Sequence, residues 1–368
     1  MPNKSVAIIG AGTAGLILAK RLAKAGIDTT IYDQKGRPGF PVRASGILSI
    51  TGLSTLGIEY EDAITNTLHG AVLNFGKKSV RIRAKKPIAH ILDRLKLNEI
   101  CMKEAVSAGA KVRTNTRIEP EKLDDLAANN IIVGADGAVS IVASHFKFPP
   151  ITRHVLTYRT EHAYAREEQD MVELFFDNNM AKGFFGWLSP NSSDVTELGI
   201  GVLSGKDNSK ACFGRFIEKP EIKGVAAARI LDSGASMIPT ELRKRFVHEK
   251  DEVLLVGDAA GQVKPTTGGG IIFGGNGAVV AANTIINYTK GNARLRDYEK
   301  KWRSEFGKEV RMHNIIYSLY SKMNTKGMEI IASAMNKTRF NEFLSEYGDM
   351  DRPSIILRRL FLRPFSRS

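Results

Sequence analysis

Six residues near the start of the chain, Gly10-Ala11-Gly12-Thr13-Ala14-Gly15, set three glycines at the spacing G-x-G-x-x-G. They lie between an apolar run, Val6-Ala7-Ile8-Ile9, and a stretch where Leu16, Ile17, Ala19, Leu22 and Ala23 recur at helical spacing. In that setting Gly10 permits a tight turn and Gly12 lets a pyrophosphate approach the backbone. Gly15 lets helix and strand pack closely, with the helix N-terminus facing the phosphates. Asp33 ends the next strand-like run, Thr29-Thr30-Ile31-Tyr32, 18 residues after Gly15. An acid there accepts hydrogen bonds from both ribose hydroxyls and repels a 2′-phosphate. The pattern predicts a dinucleotide site; the bland alternative is a glycine-rich turn with no ligand.

A second cluster, far downstream, selects the dinucleotide. Gly257-Asp258-Ala259-Ala260-Gly261 closes the buried-strand pattern Glu252-Val253-Leu254-Leu255-Val256, and Gly268-Gly269-Gly270 opens another helical stretch. An acid at such a strand end can hold the ribityl hydroxyls of a flavin. The glycine-rich helix start offers backbone N–H groups and a positive dipole end to the negative charge of reduced flavin. Nicotinamide has no polyol to hold, so FAD is the expected cofactor.

The elements that must position these residues are legible in outline. Strand-like segments suited to one parallel sheet occur near 6, 29, 131 and 253, with another around Val112 and a helical stretch over about Arg94 to Ala108. From Thr152 to Leu203 the texture changes: polar and apolar residues alternate through His154–Tyr164, Met171–Phe176 and Thr196–Val202, predicting antiparallel strands with one wet face. Beyond Tyr288 the pattern is mostly helical. The expected fold is α/β, doubly wound, with an antiparallel sheet inserted into a discontinuous first domain. The division predicted is 1–150 with 245–288 for the dinucleotide, 151–244 for the inserted sheet, and 289–368 for a helical C-terminal region.

With 43% hydrophobic and 25% charged residues among 368, the chain is too apolar for wholesale disorder. Two cysteines, Cys101 and Cys212, exclude a disulfide framework and fit small buried hydrophobes in a reducing compartment. There is no apolar run long enough to span a bilayer, and only four residues precede the first strand, so a cytoplasmic protein is expected. Fifty-three basic and 39 acidic residues leave +14. The excess gathers at the end, where Arg352 to Ser368 hold five arginines and no acid. Ile356, Leu357, Leu360 and Phe361 fall on one helical arc with Arg358, Arg359 and Arg363 largely opposite, a pattern that would dock on an anionic membrane surface. A packed or solvated tail is the alternative. Nucleic acid is disfavoured, because no recognition motif accompanies the charge. No metal-ligand set is singled out.

The residues Val256-Gly257-Asp258-Ala259-Ala260-Gly261-Gln262-Val263-Lys264-Pro265-Thr266-Thr267-Gly268-Gly269-Gly270-Ile271 resemble the flavin-contacting loop of the geranylgeranyl reductase family, FAD-dependent oxidoreductases of the aromatic-hydroxylase type. Leu92-Asp93-Arg94 and Gly134-Ala135-Asp136-Gly137 match as well, and the resemblance covers about residues 4–300. It implies a Rossmann-like FAD-binding domain and places Arg94 over the cofactor. It also implies cofactor contacts at Gly10, Gly12, Ala14, Gly15, Asp33, Ala44, Ser45, Gly46, Ile118, Asp258, Gly269, Gly270 and Ile271. The family's Tyr-x-Trp-x-Phe-Pro stretch is only partly kept, as Phe185-Gly186-Trp187-Leu188-Ser189-Pro190. Phe184, Phe185, Trp187 and Pro190 are the expected substrate contacts, with a plain core role for Trp187 as the alternative. The loop Pro41-Val42-Arg43-Ala44-Ser45-Gly46 lacks a cysteine that many members carry. Ser45 stands there as a hydrogen-bonding group or as simple packing.

The activity implied is hydride transfer from reduced FAD to isoprenoid double bonds of membrane lipids, with electrons from NAD(P)H or a ferredoxin. A flavin monooxygenase, epoxidase or halogenase, or a menaquinone side-chain reductase, would use the same fold. A flavin-containing lipid carrier is the non-enzymatic rival. The sequence singles out no proton donor.

Overall fold

The computed structural model describes residues 4–42, 44–248, 250 and 252–362, with 360–362 described as backbone only. Among these residues the strands form three sheets. The first takes the order β15-β16-β9-β1-β2-β8 from β1 (Ser5–Ile9), β2 (Thr29–Tyr32), β8 (Lys111–Arg113), β9 (Asn130–Gly134), β15 (Val247–His248) and β16 (Val253–Leu255). All neighbours are parallel except β15–β16. The five segments predicted for one parallel sheet therefore do share it, and residues 253–255 join it beside 132–134 despite their distance along the chain. Continuous apolar runs such as Ile131-Ile132-Val133 suit strands covered on both faces.

α1 (Thr13–Lys24), α3 (Arg94–Ser107) and α8 (Ile271–Thr289) pack with one another beside this sheet. Short helices α2 (Ile50–Leu53), α4 (Leu123–Asn129) and α5 (Ile141–His145) fill in around it. Asp93 starts α3 by accepting from the backbone N–H groups of Leu95 and Lys96, at 2.9 and 3.0 Å. That cap fixes where Arg94 stands.

The second sheet has the order β14-β10-β13-β12-β11-β5-β6. Its strands are β5 (Gly70–Phe75), β6 (Lys78–Arg83), β10 (His154–Ala163), β11 (Met171–Phe176), β12 (Gly186–Pro190), β13 (Val195–Leu203) and β14 (Ile230–Pro239). A small third sheet orders β3 (Ile47–Ser49), β7 (Ala89–Leu92) and β4 (Ile64–Leu68) as β3-β7-β4. Two features differ from expectation. Residues 70–83, predicted to belong with the first domain, pair in the second sheet, and β11 meets β5 in parallel. The predicted wet face is also buried: on β13, Leu198, Ile200 and Val202 point to one side, while Glu197, fully buried, shares the other with Gly199 and Gly201.

One side of this sheet is covered by α6 (Ser209–Phe216) and α7 (Pro220–Ala226), with Phe213 and Phe216 against Ile200 and Val202. The other is covered by the C-terminal helices α9 (Asp297–Tyr320) and α10 (Thr325–Lys337), whose Tyr317, Tyr320 and Met328 join Phe176, Phe184 and Phe185 in one cluster. α11 (Phe340–Tyr347) and α12 (Ser354–Leu362) complete the chain described. Both cysteines are buried and unpaired, as expected of small apolar side chains. Among the described residues no helix is long and apolar enough to cross a membrane.

Candidate functional site

The first glycine turn is built as its spacing requires. Gly10 has φ +107°, and a Cβ there would come within 2.4 Å of the Ala135 carbonyl oxygen. A Cβ on Gly15 would lie 2.2 Å from the Gly10 oxygen, so helix and turn touch through backbone. At Gly12 nothing lies within 4 Å of a Cβ: the space that the turn leaves open is there. Ala14 lies in the first turn of α1, where a Cβ on Gly257 would meet its methyl group at 3.3 Å. Asp33 accepts from the N–H of Ala11 and of Lys35, both at 2.8 Å. Thr116 donates its N–H to the Asp33 carbonyl, and Ile118, two residues on, is buried in the main core.

The downstream cluster arrives beside this turn. Gly257 takes φ +64°, and a Cβ on Gly274 of α8 would strike the Gly257 Cα at 2.7 Å. This contact seats the start of α8 against the strand end. Asp258 is half-buried, and its Oδ1 lies 2.7 Å from where a Gly270 Cβ would be. Burial raises its pKa to about 6, against a lowering pull from Arg94. Arg94 donates from Nη2 to Thr13 Oγ1 at 3.2 Å, while its buried Nε and Nη1 have no acceptor among the described residues. Burial also lowers the guanidinium to about 10. A buried cation with two idle donors, open space at Gly12 and an α8 start with no side-chain cap form an anion-seeking cradle. A flavin dinucleotide supplies the pyrophosphate, polyol and ring oxygens that such groups lack.

The loop before β3 closes one side. Gly46 has φ +76°, and a Cβ there would lie 2.3 Å from the Leu92 oxygen, which keeps the loop against the Arg94 turn. Ala44 is exposed and Ser45 half-buried.

The aromatic residues come up to the same place. A Cβ on Gly268 would sit 3.0 Å from Ile238 Cδ1 and 3.6 Å from Phe184 Cζ, so the triple-glycine turn borders the second sheet. Phe184 stacks on Phe185 with ring centres 4.2 Å apart, and Phe185 lies 5.3 Å from Phe176. The glycines of β13 make room for this wall: a Cβ on Gly201 would be 2.3 Å from Phe184 Cδ1, and one on Gly199 2.0 Å from Trp187 Cζ2. Pro190 is not part of the wall. By strand alternation it shares the face of Leu188, opposite Trp187, and its carbonyl accepts from Asn66.

Two groups of residues around this site escaped the sequence reading. Trp187 donates its indole N–H to Glu197 Oε1 at 2.6 Å. Glu197 Oε2 in turn faces Arg159 Nη1 at 3.3 Å. The buried Arg159 also meets Glu161 at 3.2 Å and Asp232 at 2.6 Å, and donates to the Val42 carbonyl at 2.9 Å. Three carboxylates share one cation, and burial pushes Glu197 up to about 7. The second group holds the flavin-contacting loop. Lys264 pairs with Asp351 at 2.5 Å, both nearly fully buried. Ser49 donates to the other Asp351 oxygen, and His313 Nδ1 reaches Thr266 Oγ1 at 2.8 Å. Burial, then Lys264, drive His313 down to about 4. Tyr320 donates to the Thr266 carbonyl at 2.9 Å. A charged residue in a predicted loop or wet strand carries no local mark of such a distant partner, which is why neither group was legible.

A family profile described as "FAD binding domain" matches residues 3–312. The chain belongs to the FAD binding domain family. FAD is its cofactor, and the fold is that of the aromatic-hydroxylase type. An uncharacterized protein of Methanocaldococcus jannaschii is 28% identical over 365 residues, covering 94% of this chain and 92% of its own. Digeranylgeranylglycerophospholipid reductase 1 of Methanothermobacter thermautotrophicus is 29% identical over 371 residues, covering 92% and 91%. Among solved structures, a geranylgeranyl bacteriochlorophyll reductase-like protein from Thermoplasma acidophilum superposes with a TM-score of 0.80 at 18% identity, covering 98% of this chain and 96% of that one. The resemblance drawn from the loop at 256–271 is borne out over nearly the whole length.

Proposed function

We propose that this protein is an FAD-dependent reductase that saturates isoprenoid, geranylgeranyl-type double bonds of membrane lipids. The observation that carries the reading is the contact at Gly268, where the glycine-rich start of α8 borders Phe184 and Ile238. The cofactor cradle and an apolar wall thus border one another. Reduced FAD supplies the hydride. Gly12, Asp33 and Arg94 hold the dinucleotide's phosphates and ribose, while Asp258 and the N–H groups of Gly269, Gly270 and Ile271 hold the ribityl chain and ring. Ala14, Ala44, Ser45, Gly46 and Ile118 complete the cofactor's surroundings.

An isolated alkene offers no charge to grip, so Phe184, Phe185 and Trp187 must bind the prenyl chain by burying it. Each CH₂ removed from water contributes about 0.8 kcal/mol. Alignment within roughly 3 to 3.5 Å of the hydride source then lowers the barrier. Electrons enter from NAD(P)H or a ferredoxin. The basic tail from Arg352 docks on an anionic membrane surface; of its residues, Arg363 and the side chains of Leu360 and Phe361 lie outside the described part. The division into a discontinuous FAD-binding domain, an inserted sheet and a helical end holds in this reading, with 70–83 reassigned to the inserted sheet.

The test is anaerobic mixing of dithionite-reduced holoenzyme with an unsaturated geranylgeranyl glycerolipid. Expected are flavin reoxidation in step with a lipid product heavier by two hydrogens per bond. A reduced flavin that persists, with the lipid unchanged, overturns the reading. Substrate-stimulated oxygen uptake with NAD(P)H would favour the monooxygenase instead.

A further inference from the structure

We propose that the outward faces of α9 and α10 form the main surface by which the protein sits on an anionic lipid bilayer. The inference rests on the reading of the substrate as a membrane lipid and says how that lipid reaches the aromatic wall.

Each of the two helices is apolar on two sides. Inward, Tyr317 of α9 and Met328 and Ala332 of α10 press on the cluster of Phe176, Phe184 and Phe185. Outward, two residues from these and so roughly 200° around each helix, stand Ile315 and Leu319 on α9 and Ile330 on α10, exposed by 49%, 60% and 62%. Ile316 and Ile331 flank them, exposed by 38% and 41%. Both inward stripes belong to one cluster, so both outward stripes face away from it in the same general direction.

The charges on these outward stripes are mostly basic. Lys308 and Arg311 precede Ile315 on its face of α9, and Lys326 and Lys337 bracket Ile330 on α10, all exposed. The turn between the helices adds exposed Lys322. The one exposed acid beside these stripes from Lys300 onward is Glu305, a turn before Lys308. The other acids of these helices are engaged elsewhere: Glu309 accepts from Ser354, and Glu329 accepts from the N–H of Lys77. Large apolar side chains interleaved with lysine and arginine on a helix surface match a headgroup layer of negative charge over an acyl interior. A water-facing helix gains nothing from three such aliphatic side chains, whereas a bilayer buries them.

The arrangement places the aromatic wall one helix diameter, about 10 Å, from the membrane. It also fixes the turn between the helices beside the wall: Asn178, from the loop leading to Phe184, donates to the carbonyls of Tyr320, Ser321 and Met323. A prenyl chain leaving the bilayer beside this turn would meet Met323 and Tyr320 before Phe185, without crossing open water.

The experiment uses the FAD-loaded full chain, its triple variant Ile315→Glu, Leu319→Glu, Ile330→Glu, and the chain ended after Pro353. Each is sedimented with phosphatidylglycerol vesicles and with phosphatidylcholine vesicles. The triple variant should lose about a hundredfold in partition to anionic vesicles, and the shortened chain only a few-fold, with bound FAD and melting temperature unchanged in both. Full binding by the triple variant, or loss on shortening alone, overturns the assignment. So does light scattering that shows a dimer dispersed by the triple substitution while no vesicles are bound, since the face then meets a second copy. Turnover with a short, water-soluble prenyl diphosphate, measured without vesicles, separates this from the reading of function. The triple variant should keep that rate. If the unaltered enzyme reduces neither acceptor, the reading itself fails.

Discussion

Along β10 the side chains that share one face run from Val155 and Thr157 to Arg159 and Glu161, and the chemistry of the buried sheet face changes with them. At one end, rings stack under α9, with Arg153 over the Tyr317 ring at the margin. At the other, Arg159 gathers Glu161, Glu197 and Asp232 beneath the loop at Val42. Trp187 belongs to both, its ring in the aromatic cluster and its N–H on Glu197. The apolar half derives its stability from area and fit, which pH does not touch. The polar half depends on a proton count. On this sheet face the charged cluster is compensated and displaced to the loop side.

The comparison breaks first at Arg159. Arg159→Met leaves three carboxylates without their cation and should cost about 3 to 5 kcal/mol in urea unfolding at neutral pH. Part of this should return near pH 5, where the orphaned carboxylates take up protons. An equal loss at both pH values would mean that the cluster acts by packing alone.

Glu197 sharpens the contrast. In the folded chain it keeps its proton to about pH 7, against an ordinary 4.5 when unfolded. Between those values the folded state binds the extra proton, so stability falls as pH rises through the window and is level beyond it. Glu197→Gln should flatten that fall, whose size is about 3 kcal/mol. Unfolding curves for both proteins across the window measure it, and parallel pH profiles would refute it. In the apolar half, Phe184→Leu should cost about 2 kcal/mol by opening a cavity, by the same amount at every pH. The smallest effect is at the junction. Trp187→Phe removes one donor to the Glu197 carboxylate, costing about 1 kcal/mol and moving the Glu197 midpoint upward, visible as a shifted carboxyl band in infrared titration.

What could be read from the sequence divides along similar lines. The glycine turn at 10–15, Asp33, the strand ends at 133 and 255 and the loop at 257–270 were legible, because each is governed by its own few residues: a positive φ, a close backbone approach, a continuous apolar strand. The second sheet was half legible. Alternation found β10, β11 and β13 but assigned their polar sides to water. Only the fold reveals that Glu197 and Arg159 are buried, with the Val42 loop against Arg159. β14 was missed because its edge position leaves Ile230, Leu231 and Asp232 exposed, with no apolar face to recognise. The motif at 185–190 grouped Pro190 with Phe185 and Trp187, yet the strand turns Pro190 to the opposite face, which a motif alone does not say.

Lys264 and Asp351 lie 87 residues apart, yet one neutralises the other at the loop between β16 and α8. During synthesis, the loop is translated well before the carboxylate that settles its lysine. The ammonium must wait in water until the last twentieth of the chain emerges. The loop at 256–271 is therefore a late-settling part of the nascent polypeptide, and a ribosome stalled before codon 351 would carry a product that has its glycine fingerprint but a lysine still without its buried partner.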